Sequence, residues 1–241
     1  MCIRDSSTHG RELFSRVQNG DIGDIQTIHS TYYTGAVKLM PPDADRPAGM
    51  SDTEWQVKNW YNFAWLAGDG IVEQGIHSVD KVFWAMGDQA PKAVYCMGGR
   101  QNPNNNGNTY DHFHAIYEFE NDVRAHVNWS QYRGNGLHRD NTDYIKGSAG
   151  TAKFDIKKAR VEKNDGSVLY QFPAEEEGGR RRRGSSSSKV KSMYQIEHDE
   201  FFANIRKGER HADEEWMANS TLYGIMARMS AYTGKRVTVE S

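Results

Sequence analysis

Glu73 and His77 are the two residues whose types and spacing are best suited to chemistry. They lie four residues apart in a segment, residues 71–87, whose apolar residues repeat at helical spacing, so one side chain should lie a turn above the other. A carboxylate beside an imidazole holds the ring in one orientation and favours its protonated form, which suits a general acid/base. The same spacing also describes an ordinary intrahelical pair on a partly exposed face. The pattern alone leaves both interpretations open.

Three histidines on predicted strands form a second candidate group. His112 and His114 are two residues apart, which places them on one face of a strand, and His126 lies on the next strand. Three imidazoles can hold a metal ion, so a metal-dependent sugar isomerase or hydrolase is one alternative function. Spacing does not show the supporting shell that a metal site needs, and strand histidines more often face solvent or aromatic rings. We therefore expect no metal site.

The elements that must position these residues follow from the periodicity. Residues 11–19 predict a short amphipathic helix that ends at Gly20, and residues 71–87 predict a longer one capped by Gly87. Residues 91–172 predict a series of strands, with hairpin signals at 120–122 and 164–166 and no helical pattern between them. Two helices, near 194–208 and 213–234, and a short strand close the chain. The sequence therefore predicts an α+β fold of two layers, an open and mostly antiparallel sheet with helices packed on one face.

Composition narrows the possible partners. The 241 residues carry a formal net charge of -2, and no apolar run approaches the roughly 20 residues of a membrane span, so we expect neither nucleic acid nor membrane as a partner. The arginines at 180–183 lie between acidic residues and serines, so residues 173–192 predict a flexible, solvated loop. Cys2 and Cys96 make no disulfide framework, which makes the cytoplasm the default location, although export of a longer parent protein stays open.

The segment 60–80 carries a recognisable signature. It reads Trp60-Tyr61-Asn62-Phe63-Ala64-Trp65-Leu66-Ala67-Gly68-Asp69-Gly70, then Glu73-Gln74, His77 and Asp80. This signature resembles one branch of the Gfo/Idh/MocA oxidoreductases. Weaker similarities lie in the strand segments, and the two closing helices are very similar to those of the family. The resemblance covers nearly all of residues 10–240.

The resemblance implies a two-domain enzyme. In such enzymes an N-terminal Rossmann domain holds NAD or NADP, and a C-terminal domain, here residues 10–241, holds the substrate. Many members oxidise a hydroxyl of a sugar, cyclitol or related polyol. The residue at the place of His77 is the family's acid/base candidate, and a carboxylate lies four residues before it. Most of the wider family has Asp at that place, whereas this chain has Glu73.

Two features of the family are missing from this sequence. No glycine-rich turn between a strand and a helix precedes residue 60, and the family's Glu-Lys-Pro motif is absent. Residues 1–9 are expected to be a non-native or disordered leader. We therefore expect a C-terminal, substrate-binding part that is inactive alone and binds no cofactor, with NAD or NADP bound by the intact enzyme. The alternative is a stand-alone, non-catalytic carbohydrate-binding or oligomerisation domain.

Further residues are candidates for the walls of a site and for an interface. The aromatic cluster around Trp60 can stack on a sugar ring or pack beneath the signature helix. The open sheet face is expected to pair with another copy of the chain, and Phe113, Tyr117, Trp129 and Tyr132 are expected to contribute to it. The candidate substrate-binding residues are Trp60, Tyr61, Asp80, Arg100, Asp111 and Arg133.

Overall fold

The computed structural model describes residues 7–101, 107–132, 138–173, 191–209 and 214–239. Its α-helices are α1 (Thr8–Gln18), α2 (Asp52–Lys58), α3 (Ala64–Ala67), α4 (Gly70–Glu73), α5 (Ile76–Ala85), α6 (Met193–Lys207) and α7 (Glu214–Thr233). Its strands are β1 (Ile25–Gly35), β2 (Ala93–Gly99), β3 (His112–Glu118), β4 (Arg124–Tyr132), β5 (Asp140–Gly147), β6 (Gly150–Asp155), β7 (Ala159–Lys163), β8 (Val168–Phe172) and β9 (Val237–Thr238).

The nine strands form one open sheet in the order β8-β7-β6-β5-β1-β4-β3-β2-β9. Neighbouring strands are antiparallel, except that β1 and β4 are parallel. The two predicted hairpins are confirmed, since a 3-10 turn at Glu120–Asp122 joins β3 to β4 and Gly166, with φ +86°, lies between β7 and β8. The sequence-based prediction of an α+β fold with an open, mostly antiparallel sheet is confirmed.

Helices α1, α5 and α7 cover one face of this sheet. Phe113, Tyr117 and Trp129 point towards these helices and are at most 1% exposed. The expectation that these three rings belong to a free sheet face is therefore wrong. Alternation along a strand divides its side chains into two faces, but it does not tell which face the helices cover.

The signature helix is interrupted, which the periodicity did not predict. Helix α4 ends at Glu73 and α5 begins at Ile76. Between them, the Gly75 amide donates to the Gly70 carbonyl, five residues back, at 2.8 Å. This is a wide, π-type turn, a feature that is frequent at functional sites. A Cβ atom at position 75 would lie 2.9 Å from the Ile71 Cα atom, so the turn requires glycine.

Helices α1 and α6 are neighbours that differ in burial. Helix α1 begins at Thr8, and His9, which the sequence assigned to a leader, stacks on Phe172 with ring centroids 4.4 Å apart. Residues 1–6 and 174–190 lie outside the described residues. Helix α6 has no buried residue and is joined to α1 by an ion pair between Arg11 and Glu200 at 2.7 Å. In the described ranges, no helix is long and apolar enough to cross a membrane.

Candidate active site

Asp69 fixes the start of α4. Its side chain is fully buried, and its Oδ1 atom accepts hydrogen bonds from the Gly70 amide at 2.6 Å and the Tyr110 amide at 2.8 Å. The hydroxyl of Tyr232, on α7, donates to Oδ2. Burial raises the pKa of Asp69, and the hydrogen bond from Tyr232 opposes that rise. Asp69 therefore ties the short helix that carries Glu73 to the last helix of the chain.

Tyr61 connects Gln131 to Glu73. The Gln131 side-chain amide donates to the Tyr61 hydroxyl at 2.8 Å. The same hydroxyl interacts with the Glu73 carboxylate: burial raises the pKa of Glu73, and the interaction with Tyr61 opposes the rise. Burial and then the charge of Glu73 raise the pKa of Tyr61. Near neutral pH the carboxylate is thus a better proton acceptor than an exposed glutamate, and Tyr61 keeps its proton.

Trp129 and Gln74 fill the space beneath the wide turn. The Trp129 indole N–H donates to the Gln74 side-chain oxygen at 3.3 Å, and Gln131 approaches the same oxygen at 3.4 Å. The indole ring also packs against Gly70, where an added Cβ atom would lie 2.1 Å from the ring. These contacts connect the two glutamines and Tyr61 into one polar cluster at the interruption.

His77 is the second residue of α5 and lies beside β1. Its ring centroid is 6.0 Å from that of Tyr32, at an interplanar angle of 31°. The Nδ1 atom is buried, whereas the residue as a whole stays partly exposed. Glu73 and His77 thus flank the wide turn from two different helices, so the regular four-residue helical spacing does not apply to them.

Tyr61, Trp60 and Asp80, which the sequence also predicted as site residues, differ in their surroundings. Tyr61 belongs to the polar cluster, as described. Trp60 is 42% exposed, its ring 6.0 Å from the Lys38 ammonium group, and Asp80 is 7% exposed within α5. The structure therefore brings Tyr61, but not Trp60, into contact with Glu73.

Arg100 and Asp111 help to shape the connection between β2 and β3. The Arg100 guanidinium donates to the Gly107 carbonyl. The Asp111 carboxylate accepts from the Gln101 amide at 2.7 Å and from His112 at 2.8 Å. Both side chains thus have structural partners in this connection. Arg133 lies outside the described residues.

The three histidines considered for a metal are not brought together. His112 and His114 are neighbours, with ring centroids 5.8 Å apart, but His126 stacks on His29 at 4.7 Å. Within the described residues, no three His, Cys, Asp or Glu side chains are placed to hold a metal ion.

Tyr32, Gln74 and Gln131 are site residues that the sequence did not single out. Gln74 is part of the signature, directly after Glu73, and that position was the available signal. Tyr32 and Gln131 lie on strands far away in sequence, and only the parallel pairing of β1 with β4 makes them neighbours of the signature.

Solved structures with the same fold are oxidoreductases. A levoglucosan dehydrogenase in complex with NADH and levoglucosan is 19% identical, with a TM-score of 0.69, over 99% of this chain and 65% of its own. The aldose-aldose oxidoreductase of Caulobacter crescentus, complexed with glycerol, is 15% identical with a TM-score of 0.67, over 98% and 62%. An Agrobacterium radiobacter oxidoreductase in complex with NAD+, L-tartaric acid and magnesium is 14% identical with a TM-score of 0.66, over 99% and 64%.

These identities establish a shared fold, and the chain spans 62–65% of the length of the three proteins. No curated protein matches the chain in sequence. The profile of the GFO/IDH/MocA C-terminal domain matches residues 11–153, which is more than half of the chain and includes the whole signature. The chain therefore belongs to the Gfo/Idh/MocA family of oxidoreductases, as a C-terminal domain.

Proposed function

We propose that this chain forms the substrate side of a nicotinamide-dependent oxidoreductase that acts on a hydroxyl of a sugar, cyclitol or related polyol. Membership of an oxidoreductase family supports the reaction class. The levoglucosan and glycerol bound by two proteins of the same fold support a polyhydroxylated substrate. The intact enzyme uses NAD or NADP, in line with the NADH and NAD+ complexes among those proteins.

The observation that carries the proposal is the polar cluster of Gln131, Tyr61 and Gln74 at the wide turn, which Glu73 and the partly exposed His77 flank on its two sides. His77 accepts the proton of the substrate hydroxyl as its carbon is oxidised. Glu73, with its raised pKa, stabilises the protonated imidazole and helps to orient the hydroxyl. Tyr61 and Gln131 hold the carboxylate in place, and Tyr32 forms a wall beside His77.

The residues of this chain do not fit the dinucleotide itself. A dinucleotide-binding fold requires successive parallel strands and a glycine-rich turn at a helix N-terminus. Within the described residues, the parallel pairing is that of β1 with β4, which are separated by helices α2 to α5 and strands β2 and β3. The nicotinamide, which accepts a hydride from the substrate carbon, must therefore be held by another part of the intact enzyme.

Joining this chain to a dinucleotide-binding domain of the family tests the proposal. In the joined enzyme, His77→Ala should lower polyol-dependent NAD reduction by about 10²–10⁴-fold, the usual weight of a general acid/base. His29→Ala, on the opposite face of the sheet, is the matched control and should leave turnover unchanged. An unchanged rate in His77→Ala would refute the proposed role of His77.

The chain alone provides a second test. Calorimetric titration should detect no binding of NADH, because the part of the chain that the structure describes has no glycine-rich turn that could hold a pyrophosphate. Micromolar binding of NADH would contradict the division of labour proposed above. Binding of a sugar by a protein that never binds a cofactor, in any joined form, would favour the alternative of a non-catalytic carbohydrate-binding domain.

A further inference from the structure

A buried ion pair lies one helical turn beyond His77. The Lys81 ammonium contacts the Asp143 carboxylate at 2.5 Å, and both side chains are 2% exposed. Two buried charges lose their hydration, and a well-packed apolar pair of similar volume often stabilises a protein as much or more. A buried ion pair is therefore weak evidence of a role in stability alone. Its best-attested use in proteins is to select one arrangement of the surrounding elements.

The pair connects three elements of the fold. Lys81 is on α5, and its ammonium also donates to the Asn141 side chain at 3.2 Å on β5. Asp143, also on β5, uses its second oxygen to accept from the Ser30 hydroxyl at 2.5 Å on β1. Both oxygens of the carboxylate are therefore engaged, and the network joins α5, β1 and β5 through directed bonds.

The spacing of this network matches the spacing of the candidate active site. His77 precedes Lys81 by four helical residues, a rise of about 6 Å. Tyr32 follows Ser30 by two strand residues, a rise of about 6.6 Å. Lys81 is linked to Ser30 through Asp143, and the ring centroids of His77 and Tyr32 are 6.0 Å apart. From these two contacts we infer that α5 runs antiparallel to β1 along this stretch, so a helix held at Lys81 also has His77 near Tyr32.

Helix α5 begins without a side-chain cap that would help to fix its rotation. Its N-cap residue is Gly75, which has no side chain to cap the helix, and the wide turn precedes it. Most of the helix surface that faces the sheet is apolar, with Val79, Val82 and Phe83 at 0–1% exposure. Apolar contacts are less directional than hydrogen bonds and ion pairs, so they restrict the rotation of the helix less sharply than the Lys81–Asp143 pair does. A rotation by one residue would separate the Lys81 ammonium from its carboxylate.

We propose that Lys81 and Asp143 are positioning residues for His77, and that their ion pair fixes the rotation of α5 on the sheet so that the imidazole faces Tyr32 and the cleft. The catalytic meaning of this position rests on the function proposed above for His77. The geometric claim does not depend on that function, because it concerns the orientation of one ring in the folded chain.

The test compares single and double variants of the chain by thermal unfolding and by NMR with labelled histidine and tyrosine. Lys81→Met leaves a buried carboxylate without its positive counter-charge and should lower the unfolding midpoint by roughly 6–20 °C. The double variant Lys81→Met/Asp143→Leu removes both charges and should restore the midpoint to within a few degrees. Its His77–Tyr32 nuclear Overhauser effect should nevertheless fall by at least half.

Ser230→Ala is the matched control. Ser230 is fully buried on α7 and bonds to the Cys96 amide and the Lys235 carbonyl, neither of which belongs to α5. This variant should lose stability and keep the His77–Tyr32 effect unchanged. If the double variant folds with that effect intact, the proposal is wrong. If the double variant does not fold, Lys81→Gln/Asp143→Asn, which removes both charges and keeps polar side chains of similar size, replaces it, and an unchanged effect there likewise overturns the proposal.

The joined enzyme separates this inference from the proposed function. There the double variant should lower kcat and change KM little, because the substrate-binding groups stay and the proton acceptor is misplaced. If the double variant loses the His77–Tyr32 nuclear Overhauser effect and His77→Ala leaves turnover unchanged, then the ion pair positions His77 but His77 is not the acid/base.

Discussion

The two faces of the sheet carry similar kinds of side chain in opposite surroundings. Under the helices, Phe113 and Trp129 are 0% and 1% exposed, and they support the turn that carries the candidate active site. On the other face, Tyr95, Met97 and Ile116 are 50%, 75% and 40% exposed. Both faces are rich in large side chains, so the difference lies in what covers them.

The side chains of the open face are regularly aligned. The strand register aligns a row of side chains across five strands, and two of its imidazole rings stack at 4.7 Å. An isolated protein seldom leaves such a continuous, partly apolar surface uncovered. The comparison therefore indicates that the covered face stabilises the fold and the site, and that the open face is available to a partner. The row runs Tyr144, His29, His126, Ile116 and Tyr95.

The largest expected difference between the faces is in stability. Trp129→Ala should lower the free energy of unfolding by about 3–5 kcal/mol, because it leaves a cavity beneath α4 and removes the bond to Gln74. Met97→Ala, on the open face, should change it by no more than about 0.5 kcal/mol. Urea unfolding of both variants measures the difference. Similar losses in the two variants would show that the open face is part of the stabilising core.

The sequence predicted the fold better than the site, for physical reasons. Strand alternation and turn residues such as Gly166 are local signals, and the sheet follows from them. The helical repeat in residues 71–87 is also local, but the close approach of Gly75 to Ile71 that opens the turn depends on packing. Tyr32 and Gln131 join the site through strand pairing across about a hundred residues, which no periodicity encodes.

A smaller loss of stability is expected at Gly70, where the covered face of the sheet meets the helix that leads into the wide turn. Gly70→Ala would place a Cβ atom 2.1 Å from the Trp129 ring, so we expect a loss of about 1–3 kcal/mol from overpacking. The control is Gly224→Ala on α7, whose added Cβ would meet Ile76 at an ordinary 3.4 Å. That change should stabilise the protein by about 0.5–1 kcal/mol, since glycine weakens a helix. Thermal unfolding measures the change in stability of both variants, and a change of the same sign in the two would contradict the packing argument.

The ionisation of Glu73 should have a still smaller effect on stability. Burial raises the pKa of Glu73, so the folded state binds this proton more tightly than the unfolded chain does. Stability should therefore fall as pH rises from the ordinary glutamate pKa through the raised one. Glu73→Gln should remove that fall and add at most about 1 kcal/mol near neutral pH, because the group is only partly buried.

Glu118 is the control, because its pKa is shifted in the direction opposite to that of Glu73. The hydrogen bond from Arg236 lowers the pKa of Glu118, so its contribution is present at neutral pH and is lost as pH falls through the lowered value. Glu118→Gln should not stabilise the protein near neutral pH. Unfolding curves between pH 4 and pH 8 test both variants, and a loss of stability in Glu73→Gln at neutral pH would contradict the assigned direction.

The smallest expected effect concerns the open face, which we propose pairs with a second copy of this chain. Ile116→Ser and Tyr95→Ser should weaken self-association in sedimentation experiments, whereas Phe201→Ser, at an exposed ring on α6, should not.

Self-association through the open face should also depend on pH. Burial, and secondly the charge of His29, lower the pKa of His126, so this ring is neutral near pH 7. As pH falls from the ordinary histidine value of about 6.5 through the lowered pKa of His126, this ring acquires positive charge on the surface that must lose its water. Association should therefore be strongest above that pH and weaken by about threefold to fivefold in acid, the weight of partly exposed charges. His126→Gln should abolish this dependence, and a monomer at high concentration and pH 7.5 would show that the open face does not pair with itself.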